Sequence, residues 1–205
     1  GLAGFTRNLE VGEIVSQVIS VEHETSEPVR NIVFMGMGEP LANLSRLNKA
    51  LEILNSDWGM NIGARHMTVS TSGLAPQIEK LAEIPRQIRL AISLHGATDE
   101  VRDQIMPINK KYPIDRLFEA LETWSRYKKQ MITFEYILIK GVNDSAADAA
   151  ELARRAKKLH AKVNLIPYNT VEGLQWKRPD EEEQDAFLSV LTKANITATL
   201  RREKG

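Results

Sequence analysis

The sequence predicts an α/β fold in which a mainly parallel sheet curves into part of a β/α barrel. Three observations carry this prediction. Short apolar runs alternate with segments of helical period along the whole chain. The order is helix first, then repeated strand–helix units, then a final strand, which is the order of linked βαβ units. Polar residues and glycines gather where several strands stop, and this favours a curved sheet with a ligand-facing rim over a flat one.

Taken in order, Val11, Ile14, Val15, Val18 and Ile19 fall at helical spacing. The run 31–35 reads as a strand buried on both faces. Leu47, Ala50, Leu51 and Leu54 mark a second helix, with Gly59 just past it. A strand over 66–70 stops at Gly73, Pro76 opens a short helix, and 88–94 is a further strand. Ile114, Leu117, Phe118, Leu121 and Trp124 give a clear amphipathic helix, followed by a strand over 131–139. Asn143, Asp144 and Ser145 offer caps for a helix over 146–159, and 162–166 is the next strand. The last helix, 180–194, opens on Glu181, Glu182 and Glu183, which suit the positive end of its dipole. Ile196, Ala198 and Leu200 alternate with Thr197 and Thr199, so the final strand has one polar face.

The 205 residues suffice for one sizeable core, and the chain reads as a single domain, 1–205. Lys plus Arg and Asp plus Glu both number 27, so no overall charge draws the chain to nucleic acid or membrane. Any such attraction has to come from local patches such as Lys110-Lys111, Arg154-Arg155 or Arg201-Arg202. Zero cysteine excludes disulfides, thiolate metal sites and thiol nucleophiles within these residues. No apolar run approaches the length of a membrane span, and a cytoplasmic protein is the expectation.

In parallel β/α folds ligands bind at the carboxyl ends of the strands. The first strand ends in Gly36-Met37-Gly38-Glu39-Pro40. Gly38 lets the backbone come close to a ligand, and Glu39 is either a rim carboxylate suited to an ammonium group or part of a solvent-facing turn. Ser70, at the second strand end, can meet ribose or phosphate oxygens or serve as a cap. At the third, Ser93-Leu94-His95 carries an imidazole able to act as base, metal ligand, hydrogen-bond donor or structural group. Asn169, after the fifth strand, can donate and accept toward a nucleoside or a carboxylate. Glu135 is an inward carboxylate in an apolar strand, either functional or paired with a base inside the sheet. His23, His66 and His160 show no metal-site spacing, and no phosphate-binding glycine loop precedes a helix.

Six stretches follow one another in the order of a known family: 36–41, 70–73, 93–95, 106–111 (Met-Pro-Ile-Asn-Lys-Lys), 141–144 (Gly-Val-Asn-Asp) and 164–169 (Asn-Leu-Ile-Pro-Tyr-Asn). Each is weak alone; together they closely resemble the radical S-adenosylmethionine (SAM) RNA methyltransferases of the RlmN/Cfr type, across essentially the entire chain. The resemblance implies a partial (β/α)6, TIM-like radical SAM barrel truncated before its first strand. It implies a 4Fe-4S cluster and SAM at the barrel top, and methylation of an adenine of large-subunit ribosomal RNA. Transfer RNA is a further substrate of the RlmN branch, which acts at adenine C2; the Cfr branch acts at C8. Ser72 after Thr71 is closer to the RlmN branch. By the same resemblance Gly38 and Glu39 hold the methionine end of SAM, Ser70 its ribose, and Ser93, Leu94, His95 and Asn169 further parts of it.

The family binds its cluster through three cysteines and carries a methyl group on a fourth. A first SAM methylates that cysteine; a second yields the radical that activates the methyl group for addition to adenine. None of these thiols lies within the chain. The resemblance places the cluster cysteines before Gly1 and the methyl-carrying cysteine beyond Gly205, so the 205 residues alone are expected to be inactive. Two further readings stand beside this one. One is a different β/α barrel enzyme, an aldolase or isomerase, with Lys140 and Glu135 as its only candidate residues. The other is a non-catalytic SAM-binding barrel.

Overall fold

In the computed structural model, residues 5–35, 38–171 and 173–201 are described. Helix α1 (Val11–Thr25) leads into β1 (Ile32–Phe34), a 3₁₀ turn (Pro40–Asn43) and α2 (Leu44–Asn55). Then follow β2 (Met67–Thr71), α3 (Ala75–Glu83), β3 (Arg89–Ser93), α4 (Asp99–Ile105), a 3₁₀ turn (Pro107–Lys110) and α5 (Ile114–Tyr127). The chain continues through β4 (Thr133–Leu138), α6 (Ala146–Lys158), β5 (Lys162–Pro167), α7 (Glu181–Lys193) and β6 (Ala198–Leu200). The six strands form one parallel sheet in sequence order, β1 to β6. Among the described residues β1 and β6 do not pair with each other, so the barrel is partial, as expected.

Two kinds of packing separate the faces of this sheet. On β4 and β5, Phe134, Tyr136, Leu138, Val163 and Leu165 alternate with half-buried residues and point into the helical layer. There they meet Leu117, Phe118, Leu121 and Trp124 of α5, Leu152 of α6 and Phe187 of α7. Full burial of such side chains stabilises by about 1.5–3 kcal/mol each, and this layer is the main source of stability. The other, concave face is polar: Ser93, Glu135, Asn164 and Thr199 stand in register across β3 to β6.

The helix starts follow the capping chemistry in the sequence. Ser145 caps α6 through the Asp148 amide, with Asp148 returning the bond, and Asp180 does the same for α7 with Glu183. One expectation is corrected. The run at β1 is not buried on both faces: Val33 is 52% exposed and Met35 66%. β1 is an edge strand whose second face looks into the open concave side, so apolar character there does not report burial.

Candidate functional site

The β1, β2 and β3 ends meet in a cleft of about 500 Å³ lined by Gly38, Glu39, Ser70, Ser72, Ser93 and His95, with Met35, Pro40, Thr71 and Met106 completing its wall. Five of the seven residues expected from the sequence therefore lie together. Glu39 is fixed by three donors: Leu41 N–H to Oε1 (3.0 Å), and Ser72 N–H (2.8 Å) and Ser72 Oγ–H (2.7 Å) to Oε2. This latches the β1 loop to the β2 end and leaves about one lone-pair site, on Oε1, for a ligand. A Cβ on Gly38 would meet nothing within 4 Å, so the missing side chain leaves room in the cleft rather than relieving an internal clash. The hydroxyls of Ser70 and Ser93 make no hydrogen bond among the described residues and remain available.

The β3 end is held more elaborately. His95 adopts φ 54°, and its backbone is pinned on both sides: its N–H donates to the Glu135 carbonyl (3.2 Å), and its carbonyl accepts from Asn143 Nδ2 (2.7 Å). Nδ1 accepts from the Ile137 amide at 3.2 Å, so the proton of the neutral ring sits on Nε2. Burial, assisted by the charge of Arg102, pushes the imidazole down to about 4. His95 is thus a neutral donor at physiological pH, not a cation. The next residue must be glycine: a Cβ on Gly96 would stand 2.7 Å from Val101 Cγ1.

Two expected residues sit elsewhere. The Leu94 side chain is fully buried, its amide is bonded to carbonyls of Ile92 and Glu135, and its carbonyl takes Arg102 and the Gly96 amide, so it shapes the β3 end from behind. Asn169 is exposed in the loop after β5, on the same strand-end face but outside the cleft wall. Gly36 and Met37 lie outside the described residues. Glu135 does not pair with a base within the sheet: among the described residues its partner is the Asn164 amide (2.7 Å), whose oxygen in turn accepts from Thr199 (3.1 Å). Lys140 is held on the rim by Asp180 (3.2 Å) and Glu183 (2.8 Å), away from any Schiff-base geometry beside Glu135. This removes the residue pair on which an aldolase or isomerase reading rested.

Sequence reasoning missed the three buried polar residues that set the cleft walls. Arg102 is fully buried, and its guanidinium donates to the carbonyls of Leu94 and Ser72 (3.2 Å) and to Asn109 Oδ1 (2.9 Å). One cation thereby ties the β2 and β3 ends together, at a cost in solvation that lowers its own pKa to about 10. Asn109 passes the bond on to Asp99 (2.8 Å) and Asp103 (2.9 Å). Asn143, fully buried, donates to the carbonyls of His95 and Ile137 (both 2.7 Å) and accepts from the Ile139 amide (2.7 Å). Asn109 was marked only by its family position; Asn143 was expected as a cap of α6, but Ser145 fills that role and Asn143 bonds inward to the β3 and β4 ends instead.

A parallel partial barrel with a carboxylate, free hydroxyls and a neutral imidazole at its strand ends is a β/α scaffold with a polar small-ligand cleft. The Radical SAM superfamily matches residues 3–153, and the chain belongs to it. Within that family it is 61% identical over all 205 residues to the probable dual-specificity RNA methyltransferase RlmN of Akkermansia muciniphila and 54% identical to RlmN 3 of Opitutus terrae. It spans 57% and 58% of the length of these two relatives. The crystal structure of a radical SAM methyltransferase from Sphaerobacter thermophilus superimposes with a TM-score of 0.93 at 44% identity, over all of this chain and 61% of that one. A domain of a pyruvate-formate lyase-activating enzyme from Bacteroides vulgatus shares the fold at a TM-score of 0.64 and 21% identity.

The cleft fits SAM: it has the size of a small-molecule site, an acceptor for an ammonium group and unclaimed hydroxyls for a nucleoside. The same test fails for the cluster. The chain has no cysteine, and no group of acidic or histidine ligands assembles among the described residues. Soft iron–sulfur ligation therefore needs thiolates from outside these 205 residues. Among the described residues no helix is long and apolar enough to cross a membrane.

Proposed function

We propose that this chain is the SAM-binding wall of a cytoplasmic radical SAM enzyme that methylates C2 of an adenine in large-subunit ribosomal RNA, and transfer RNA as a second substrate. The observation that carries this reading is the strand-end cleft, where Gly38, Glu39, Ser70, Ser93 and His95 converge in a chain 61% identical over its length to a probable RlmN. SAM, when bound, supplies both the methyl group and the radical chemistry.

The residues of this chain bind and orient. Glu39, already locked by Ser72 and Leu41, accepts the ammonium of the methionine end without having to reorganise. Ser70 and Ser93 meet the ribose. His95, neutral with its proton on Nε2, donates to an acceptor of the cofactor, and Asn169 closes over the ligand from the β5 loop. The cluster and the methyl-carrying thiol belong to the parts of the whole protein beyond these residues. The full-length protein, reconstituted with iron and sulfide under reducing, anaerobic conditions, is expected to convert adenine to 2-methyladenine in ribosomal RNA. Methylation at C8 instead would favour a Cfr-type enzyme, and SAM binding without methylation a non-catalytic barrel.

A further inference from the structure

The chain carries no net charge, so a polyanion has to be held by local cations. Two cations near the strand ends are committed. Arg102 is buried against carbonyls, and Lys140 is tied to Asp180 and Glu183. Lys110 and Lys111 differ: both are exposed, and neither makes a salt bridge among the described residues. The Lys111 ammonium lies over the ring of its neighbour Tyr112, 5.4 Å from the centroid.

What distinguishes these lysines from ordinary surface residues is their mounting. They follow Asn109, which is 2% exposed and makes three side-chain hydrogen bonds. The turn that carries them closes with Lys111 N–H and Tyr112 N–H both on the Ile108 carbonyl at 3.0 Å. Met106, at the other end of the turn, lines the cleft wall. Through Arg102 the same network grips the carbonyls of Ser72 and Leu94. Two cations without a salt bridge among the described residues are thus held in fixed register with the strand ends that line the cleft. Loose surface lysines need no such anchor.

We propose that loop 106–112 is an RNA-backbone contact, in which Lys110 and Lys111 neutralise two phosphates flanking the target nucleotide while the Arg102–Asn109 network sets their position relative to the cleft. This rests on the RNA-methyltransferase reading and specifies where the RNA seats.

The test uses full-length protein and a labelled RNA stem-loop with an unpaired adenine, with binding followed by anisotropy across a salt series. Neutralising two phosphate contacts contributes about 1.4–1.8 to the slope of log K against log salt. K110A/K111A is expected to lower the slope by that amount and to weaken binding at low salt by about tenfold or more. SAM affinity and melting temperature are expected to stay at their wild-type values. K129A/K193A removes the same charge from exposed residues preceding β4 and β6, on the opposite, amino-end face, and is expected to leave the slope as it is. Equal slopes for the two double variants overturn the proposal, because net charge then explains the effect. A parallel loss of SAM binding in K110A/K111A overturns it as well, since the loop is then part of the cofactor wall. A wild-type protein that methylates RNA while K110A/K111A binds it normally removes the contact and leaves the proposed function intact. A wild type that neither binds nor methylates RNA removes the proposed function, and the contact falls with it.

Discussion

Replacing Asn143 by Ala tests how the His95 turn is held. The side chain is fully buried, and all three of its bonds, at 2.7 Å each, go to the backbone. Truncation orphans the Ile139 amide and the His95 carbonyl in a water-poor setting. A buried polar group left unpaired costs about 1–3 kcal/mol, so the expected loss is about 3 kcal/mol, with little offset because no charge is relieved. With a urea m-value of about 2–3 kcal/mol/M, the midpoint falls by about 1 M, read by far-UV circular dichroism. Asn143→Asp sharpens the test. Its carboxylate can still accept from Ile139 but repels two carbonyls where the amide donated. The folded state then favours the protonated acid, so its pKa in the native protein rises above that of the unfolded chain. The deficit is therefore smallest below the ordinary carboxyl range and grows as the pH climbs through the raised value. A loss under about 1 kcal/mol for Asn143→Ala, or a pH-independent deficit for Asn143→Asp, would refute this account of the turn.

Four other outcomes are expected. His95 sits near pKa 4 in the folded chain against an ordinary 6.5, so stability is lost as the pH falls from about 6.5 to about 4, by up to about 3 kcal/mol. His95→Gln should flatten that part of a pH–stability curve, and an unchanged curve would show that the ring titrates freely. Glu39→Gln removes the charge and turns one of two oxygens that accept backbone N–H bonds into a donor, so calorimetry of the full-length protein should give SAM binding weaker by about tenfold or more, with a lower melting temperature from the loosened Leu41–Ser72 latch. Gly96→Ala forces a Cβ to 2.7 Å from Val101 and should cost about 1–3 kcal/mol in urea unfolding. The 205 residues alone, treated with iron and sulfide, should develop no cluster absorbance, because they contain no cysteine.

Much of the fold was legible because most elements are long and periodic. The six strands and the helices α1, α2, α3, α5, α6 and α7 all show in the pattern of apolar residues. Helix α4 did not. It has seven residues, and its inward face carries the fully buried Arg102, a side chain that any hydropathy pattern places outside. The partners that justify the burial are carbonyls 8 and 30 residues away in sequence, at strand ends that meet only in the folded sheet. β1 misled for the opposite reason: alternate residues of its apolar run, Val33 and Met35, face the open side while Ile32 and Phe34 pack on the core. Strand-end logic found Glu39, Ser70, Ser93 and His95, since position at a strand terminus can be read locally. It could not show that Ser72 fastens Glu39, that Leu94 turns away, or that Glu135 would take an amide rather than a cation. Those outcomes depend on register between strands.

The central claim is best tested on nucleosides from RNA treated with the full-length enzyme and isotopically labelled SAM, resolved by liquid chromatography and mass spectrometry. The account predicts label in 2-methyladenosine, and its loss in a Glu39→Gln variant. Unlabelled adenosine throughout, from a protein shown to hold its cluster and to bind SAM, would contradict it.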